Sequence, residues 1–281
     1  MVTGYPSNVA KGVRSRSGKG ARPSEPEQLP LFATARDKRR GPGRKRRRGK
    51  KPGRKPKGPR AGSPHTVRPE LRARHPVHVV LRVVDAAGNL RRRATYKAVR
   101  EATLTTARRE DFRIVHLSIQ RNHLHLLVEA EHKGALAAGM QGFQISAAKH
   151  LNAAISKDRP GPRRRGAVFP DRYHAEIITT PTQARHALNY VINNWRKHRE
   201  DRSEATRTWK IDWFSTAIMF PGWAEYADEP FMRRGPPTYD PLVVYQPRTW
   251  LLREGYLRGG PPISVREVPS APRQVPADKA S

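Results

Sequence analysis

The sequence predicts an α+β domain built on a four-stranded antiparallel sheet of split β-α-β order, with helices on one face. Segments typical of strands alternate with segments whose apolar residues recur every three or four positions, in the order β-α-β-β-α-β-α. The two middle strands are separated only by residues 120–122, which indicates a hairpin. This order of elements is that of a ferredoxin-like sheet.

The first half of the domain begins at about residue 75. Residues 77–84 (V-H-V-V-L-R-V-V) are rich in β-branched side chains and predict the first strand, followed by a turn at 85–89. A helix with a basic outer face is expected over residues 91–109. Residues 112–119 predict the second strand, and the third begins at His123 and reaches Glu129.

The second half contains two amphipathic helices around a strand. Apolar residues spaced by three or four predict a helix over residues 134–155, and residues 169–178 predict the fourth strand. Thr180, Pro181 and Gln183 have the pattern of an N-cap, a first helical residue and a capping box. The helix that follows is expected to reach about His198, with its core side formed by Ala184, Leu188, Val191, Ile192 and Trp195.

The composition points to a polyanionic partner. Of 281 residues, 56 are Lys or Arg and 24 are Asp or Glu, for a formal net charge of +32. A ribosomal or architectural protein that coats nucleic acid is the simplest alternative consistent with this charge. The absence of cysteine excludes disulfides and cysteine-based zinc sites. No apolar run approaches the length of a membrane span, and the N-terminus lacks a segment like a signal peptide, which together predict a soluble intracellular protein.

Two flanking regions have little to bury. Residues 1–74 predict a disordered basic DNA-binding arm, in which the stretches around Arg44 and around Arg54 and Lys55 resemble AT-hooks, elements that lie in the minor groove of A·T-rich DNA. A generic polybasic tail explains them equally simply and is the interpretation we favour. Residues 201–281 predict a Pro-rich extension that packs onto the domain without its own core. Stacking of its scattered aromatic residues on unpaired bases is the alternative.

The stretch 115–129 carries the chemistry. His123 and His125 flank one leucine on a strand, so both imidazoles project from the same face while Leu124, Leu126 and Val128 point into a core. Two imidazoles can hold one divalent cation if a further group completes the site. On the last helix, Tyr190 lies away from the core side and Asn194 follows one turn later. Taken alone, Tyr190 has the pattern of an ordinary surface tyrosine.

Together these residues resemble a known family. The pattern His-hydrophobic-His on a strand, followed by Tyr190 and a polar residue four positions later on a helix, resembles the HUH endonucleases of the single-tyrosine transposase class. The stretches N-H-L-H-L-L-V-E, M-Q-G-F, F-P-D-R-Y-H, Y-V-I-N-N-W-R-K-H and P-R-T-W-L-L-R-E-G-Y are similar to REP-associated tyrosine transposases. The resemblance covers about residues 75–200 well and the C-terminus loosely.

The resemblance implies a metal-dependent enzyme that cleaves and rejoins single-stranded DNA. Tyr190 would be the nucleophile and form a 5′-phosphotyrosine, with Mg²⁺ or Mn²⁺ held by His123, His125 and Asn194. Members of the wider class often carry Gln where Asn194 stands. The partner would be DNA, often a single-stranded hairpin, bound by a monomer or homodimer in the bacterial cytoplasm at the nucleoid. The expected DNA contacts are Arg44, Arg54, Lys55, Arg163, Arg164, Arg165, Arg172, Arg196 and Lys197.

Alternatives stay open at this level. A domesticated or catalytically idle DNA-binding protein would keep the fold and the basic arm, although a mere binder does not need the His pair with Tyr190. An RNA-binding module is a second alternative, but its sheet would carry stacking aromatic residues. A relaxase or replication initiator would share the same chemistry. Tyr173 is the rival nucleophile, Glu129 is expected to be a solvated strand residue, and His78, His132, His150 and His186 are expected to be ordinary.

Overall fold

The structure is a computed structural model that describes residues 68–157, 160–225 and 239–270. These all belong to the compact unit Lys55–Ser281. Four strands and five α-helices follow one another in the described part of the chain: β1 (Val77–Arg82), α1 (Arg93–Thr106), β2 (Phe112–Ile119), β3 (His123–Ala130), α2 (Lys133–Lys157), β4 (His174–Ile177), α3 (Pro181–Ile192), α4 (Asn194–Lys197) and α5 (Trp250–Arg253). Short 3₁₀ turns lie at Asp85–Ala87, Glu200–Arg202, Thr216–Met219 and Gly255–Arg258.

The sheet confirms the predicted topology. Its strand order is β2-β3-β1-β4, and each neighbouring pair is antiparallel, which is the ferredoxin-like arrangement. β2 has the predicted bounds, and β2 and β3 form the predicted hairpin. The fourth strand was predicted over residues 169–178 but pairs only over His174–Ile177. Pro170 has no N–H to donate, and β4 is an edge strand, where short pairing is common.

One face of the sheet carries the larger core. Leu124, Leu126 and Val128 of β3 point into it, as predicted, and α1 and α2 cover it with side chains that include Val99, Met140 and Phe143. The two helices of the split β-α-β pattern therefore lie on one face.

The opposite face is also covered, which corrects the expectation that every helix lies on one side. α3 packs there through Ala184, Leu188, Val191 and Ile192, against Val115 of β2 and Leu127 of β3. The C-terminal region joins the same cluster with Ile211, Ala217, Phe220, Trp223, Leu251, Leu252, Tyr256, Ile263 and Val265. β2 and β3 bury side chains on both faces, because apolar residues occupy both the odd and the even positions of these strands. Within its described residues, the region after 200 shares this core with α3, in line with the predicted packing.

The N-terminal boundary lies earlier than predicted. The Arg68 guanidinium lies 3.6 Å from the ring centre of Tyr173 and donates to the Tyr173 carbonyl oxygen at 3.0 Å, and Leu71 is buried in the larger core. Residues 68–74 are thus part of the domain. The predicted DNA contacts Arg44, Arg54 and Lys55 lie outside the described residues. None of the helices in the described ranges is long and apolar enough to cross a membrane.

The last predicted helix is interrupted. The capping box forms as predicted, with the Thr180 hydroxyl accepting from the Gln183 backbone N–H and the Gln183 carboxamide oxygen accepting from the Thr180 backbone N–H. At Asn193 the backbone leaves helical geometry (φ −108°, ψ 9°), so the helix divides into α3 and α4. The Asn193 amide nitrogen donates to Asn189 Oδ1 at 2.9 Å and to the Ser264 carbonyl oxygen at 3.0 Å. These bonds tie the break to the C-terminal region.

Candidate active site

His123 and His125 lie together on β3. Both project from the face that α3 covers, since alternate strand residues share a face. Their ring centres are 4.7 Å apart, with the rings nearly perpendicular. His123 is half-buried at the start of the strand, and His125 is 3% exposed. The strand therefore holds two imidazoles side by side at the edge of a covered face.

Each of these histidines has its Nδ1 atom occupied. His123 Nδ1 lies 2.8 Å from Asn122 Oδ1, an oxygen that only accepts, so Nδ1 carries the proton and Nε2 keeps its lone pair. His125 Nδ1 lies 3.1 Å from His78 Nε2. The remaining nitrogen, His125 Nε2, is buried and has no hydrogen-bond partner among the described residues. Both Nε2 atoms are thus left for another ligand.

Tyr190 lies beside this pair. Its ring centre is 5.1 Å from that of His125 and 5.7 Å from that of His78. The α3 core side positions it, because Leu188 and Val191 are anchored against the sheet and leave the half-buried Tyr190 at the margin of the covered face. Lys197 Nζ donates to the Tyr190 hydroxyl oxygen at 3.2 Å. A tyrosine hydroxyl, a cationic donor and two imidazoles thus come together within one chain.

Asn194 begins α4 and is fully buried. Its Oδ1 and Nδ2 atoms have no hydrogen-bond partner within the described ranges. An unpartnered buried amide is costly unless another group satisfies it. The role of Asn194 as a metal ligand stays a prediction, and these two unpartnered atoms are compatible with it.

The histidines of the site are neutral at neutral pH. Burial lowers the pKa of His78 to about 4, with His174 adding to the effect. Burial, followed by the nearby His198 and Arg82, lowers the pKa of His123 to about 4. Burial and then His78 and His123 hold the pKa of His125 well below its ordinary value. Neutral imidazole is the form that binds a metal ion.

These donors fit a divalent cation with open positions. In the described part of the chain no group of three His, Cys, Asp or Glu side chains is placed to hold a metal ion. A cation here would therefore rely on the two imidazole Nε2 atoms plus oxygen donors, for which the Asn194 amide oxygen is the candidate from the chain. Such a mixed set suits Mn²⁺ or Mg²⁺ with water or phosphate oxygens in the remaining positions.

The predicted DNA contacts among the described residues differ in exposure. Arg163, Arg165 and Arg172 are exposed around the loop between α2 and β4, and Arg163 donates to the Lys149 carbonyl oxygen at 3.1 Å. The half-buried Arg164 donates to the carbonyl oxygens of Gly166 and Ala167 and to Asn152. Arg196 is bound to Asp201 and to the carbonyl oxygens of Val265 and Lys210. The assignment of Arg164 and Arg196 to DNA stays a prediction, and both guanidinium groups already have internal partners, in the loop and in the C-terminal region.

Three residues make contacts that the sequence did not predict, and the rival nucleophile Tyr173 is buried. His78, expected to be ordinary, bonds to His125, and the ring centre of His198 lies 5.4 Å from that of His123. Glu129, expected to be solvated, is buried and accepts from the backbone N–H groups of Arg248 and Thr249.

The rival nucleophile Tyr173 is 8% exposed, with the Arg68 guanidinium over its ring. The pairing of β1 with β3 was the signal for His78, but the register needed to use it came only with the structure.

One family model matches the part of the chain that carries the His pair, Tyr190 and Asn194. Residues 72–194 match the family model described as transposase, IS200 like. Among solved structures, a REP-associated tyrosine transposase bound to a REP hairpin aligns with 66% of this chain and 99% of its own, at 14% sequence identity and a TM-score of 0.43. No curated protein matches the sequence. The family model thus agrees with the resemblance that the sequence motifs indicated.

Proposed function

With residues 72–194 placed in the IS200-like transposase family, we propose that this protein is a transposase that cleaves and rejoins single-stranded DNA, using a divalent metal and a 5′-phosphotyrosine intermediate. The observation that carries the proposal is the position of Tyr190, whose ring centre lies 5.1 Å from that of His125. Beside this tyrosine, His125 Nε2 is buried and has no hydrogen-bond partner among the described residues, so it is available to hold a cation next to the hydroxyl.

The reaction exchanges one phosphodiester for another. The Tyr190 hydroxyl oxygen attacks the scissile phosphorus, and the bond from phosphorus to the 3′ oxygen breaks. The 3′ oxygen leaves with a proton as a hydroxyl, and the 5′ phosphate stays on Tyr190. Attack by a 3′ hydroxyl on this phosphotyrosine reverses the step, so rejoining needs no external energy source.

The residues of the chain have separate tasks. His123 and His125 would hold the cation through Nε2, with Asn194 as the proposed third ligand. When bound, the cation supplies a positive charge that polarises the scissile phosphate. Lys197 presents its ammonium to the Tyr190 hydroxyl and stabilises negative charge on that oxygen as the proton leaves.

Single-stranded DNA is the proposed substrate form. Tyr190 is half-buried and lines a recess together with His78 and Asn189, which a flexible strand reaches more easily than a rigid duplex. The exposed Arg163, Arg165 and Arg172 offer phosphate contacts nearby in sequence to β4. A monomer or a homodimer is compatible with the proposal, since the His pair and Tyr190 meet within one chain.

A denaturing-gel assay tests the proposal. End-labelled single-stranded hairpin DNA is incubated with the protein and Mn²⁺ or Mg²⁺, and a covalent protein–DNA adduct is expected. Tyr190→Phe and EDTA are each expected to abolish the adduct while salt-sensitive binding remains. The matched control is Tyr173→Phe, which is expected to form the adduct at the wild-type level.

Two outcomes would redirect the assignment. An adduct that survives in Tyr190→Phe but disappears in Tyr173→Phe would place the nucleophile on the strand. Tight binding without any adduct would favour the domesticated DNA-binding alternative.

A further inference from the structure

His78 lies on the strand next to the His pair and shares its face. It stands opposite Leu127 in the β1–β3 ladder, and Leu127 projects from the same side as His125. His78 and His125 are therefore diagonal neighbours on one face of an antiparallel pair, a separation that long side chains can bridge.

The two rings meet edge to edge. Their planes are 21° from parallel, and their centres are 5.3 Å apart, yet His78 Nε2 and His125 Nδ1 are separated by only 3.1 Å. Face-to-face stacking would bring many ring atoms equally close. A short contact between two nitrogens with distant centres is instead the geometry of an N–H···N hydrogen bond in the ring planes.

From this contact we propose that His78 is a positioning residue for the metal site, which sets the tautomer and the ring orientation of His125. The inference rests on the proposed function. A metal ion at His125 Nε2 needs the lone pair of that atom, so the His125 proton must lie on Nδ1. His78 Nε2 then accepts that proton in a hydrogen bond, and the ring of His125 is held with Nε2 directed into the site.

The same geometry argues that His78 is not a ligand. Its Nε2 is engaged by Nδ1 of His125, on the opposite edge of that ring from the free Nε2. His123 has an equivalent partner in Asn122, whose amide oxygen accepts from Nδ1 at 2.8 Å. Both imidazoles thus have their Nδ1 atom satisfied and Nε2 left for the cation.

The test measures metal binding rather than turnover. Mn²⁺ affinity is measured by the loss of the free Mn²⁺ signal in electron paramagnetic resonance. The full-length protein is compared with His78→Phe, which keeps a ring without an acceptor, and with His78→Gln. The Gln amide oxygen lies the same number of bonds from the backbone as Nε2 of histidine. His150→Phe, on α2 across the sheet, is the matched control.

We expect His78→Phe to bind Mn²⁺ about 10–100-fold more weakly than the wild type. His78→Gln should recover most of the affinity, and His150→Phe should not differ from the wild type. Pulsed measurements that count directly bound imidazole nitrogens should find two in the wild type and two in His78→Gln. Hairpin binding in EDTA and the circular dichroism spectrum should be unchanged, which separates positioning from a loss of fold.

Three results would overturn the inference. Wild-type Mn²⁺ affinity in a folded His78→Phe protein would show that His125 needs no partner. Three bound imidazoles in the wild type and two in His78→Gln would make His78 a ligand. If the wild type binds no Mn²⁺, or if His123→Ala binds it as tightly as the wild type, the proposed metal site itself is rejected. If His123→Ala loses Mn²⁺ binding while His78→Phe keeps the wild-type affinity, only the role of His78 is rejected.

Discussion

Lys197 Nζ lies 3.2 Å from the hydroxyl oxygen of Tyr190 and 4.4 Å from the centre of its ring. The two residues are seven positions apart, across the break at Asn193 that separates α3 from α4. The break in the helix therefore leaves Lys197 within hydrogen-bonding distance of the Tyr190 hydroxyl. A residue that the sequence assigned to the DNA backbone thus also contacts the proposed nucleophile.

Lys197→Met is expected to slow formation of the covalent adduct about 10–100-fold, because the ammonium no longer stabilises negative charge on the attacking oxygen. Hairpin affinity should fall much less than the rate. The measurement is the single-turnover rate of adduct formation at saturating DNA, with Lys149→Met on α2 as the control for loss of one positive charge. An equal loss of rate in both variants would contradict a specific role.

Glu267→Ala is expected to lower the free energy of unfolding by about 2–3 kcal/mol, because it leaves the buried Arg185 without its charged partner. The Arg185 guanidinium donates to both Glu267 carboxylate oxygens, at 3.0 and 2.8 Å, and its side chain is 7% exposed. Urea unfolding measures the change. The control is Glu254→Ala, which breaks the exposed pair with Arg253 and should change stability by less than about 0.5 kcal/mol.

Two glycines of α2 should respond oppositely to alanine. A Cβ at Gly139 would overlap the ring of Phe112, which is fully buried, so Gly139→Ala is expected to cost about 1–3 kcal/mol. A Cβ at Gly142 meets no atom within 4 Å, and Gly142→Ala should stabilise the helix by about 0.5–1 kcal/mol. Thermal unfolding of the two variants measures both changes in stability. Equal effects would show that α2 does not approach β2 as closely as the structure has it.

His116 should make the protein sensitive to acid. Burial lowers its pKa to about 4, below the ordinary value of 6.5. As pH falls, the unfolded chain takes up this proton first, so the contribution of His116 to stability is complete above about pH 6.5 and is lost as pH falls towards 4. Between pH 7.5 and 4.5 the free energy of unfolding of the wild type should fall by roughly 2–3 kcal/mol more than that of His116→Leu.

Urea unfolding at several pH values measures this difference between wild type and His116→Leu. The control is His186→Leu on the exposed side of α3, which should follow the wild-type pH dependence. A His116→Leu protein whose stability declines with acid as steeply as that of the wild type would contradict a buried neutral His116.

Local patterns predicted most of the fold. The capping box at Thr180 and Gln183, the bounds of β2 and the inward direction of Leu124 all depend on neighbours within a few positions, and all are confirmed. The strand alternation also placed His123 and His125 on one face. The family resemblance, rather than spacing alone, implied that Tyr190 belongs with this pair, and the structure brings its ring beside that of His125.

Long-range relations escaped prediction. Placing α3 on the second face required knowing that Val115 and Leu127 are covered from that side. The burial of Glu129 depends on backbone N–H groups about 120 positions later in the chain. The bonds of Arg196 to the Val265 carbonyl oxygen and the Asp201 carboxylate were not predicted either, because Val265 lies 69 positions away in the chain.

By itself, the sequence determined the element order and the shared face of the His pair, because hydrophobic periodicity and capping act over a few residues. The candidate nucleophile came from the resemblance of its motifs to a known family. Only the tertiary structure decided that His78 Nε2 meets His125 Nδ1 and that Lys197 reaches Tyr190. The contact of His78 depends on strand register, and that of Lys197 spans the helix break at Asn193. Both are set by the packing of the whole domain, since a one-residue slip between β1 and β3 would turn His78 to the other face.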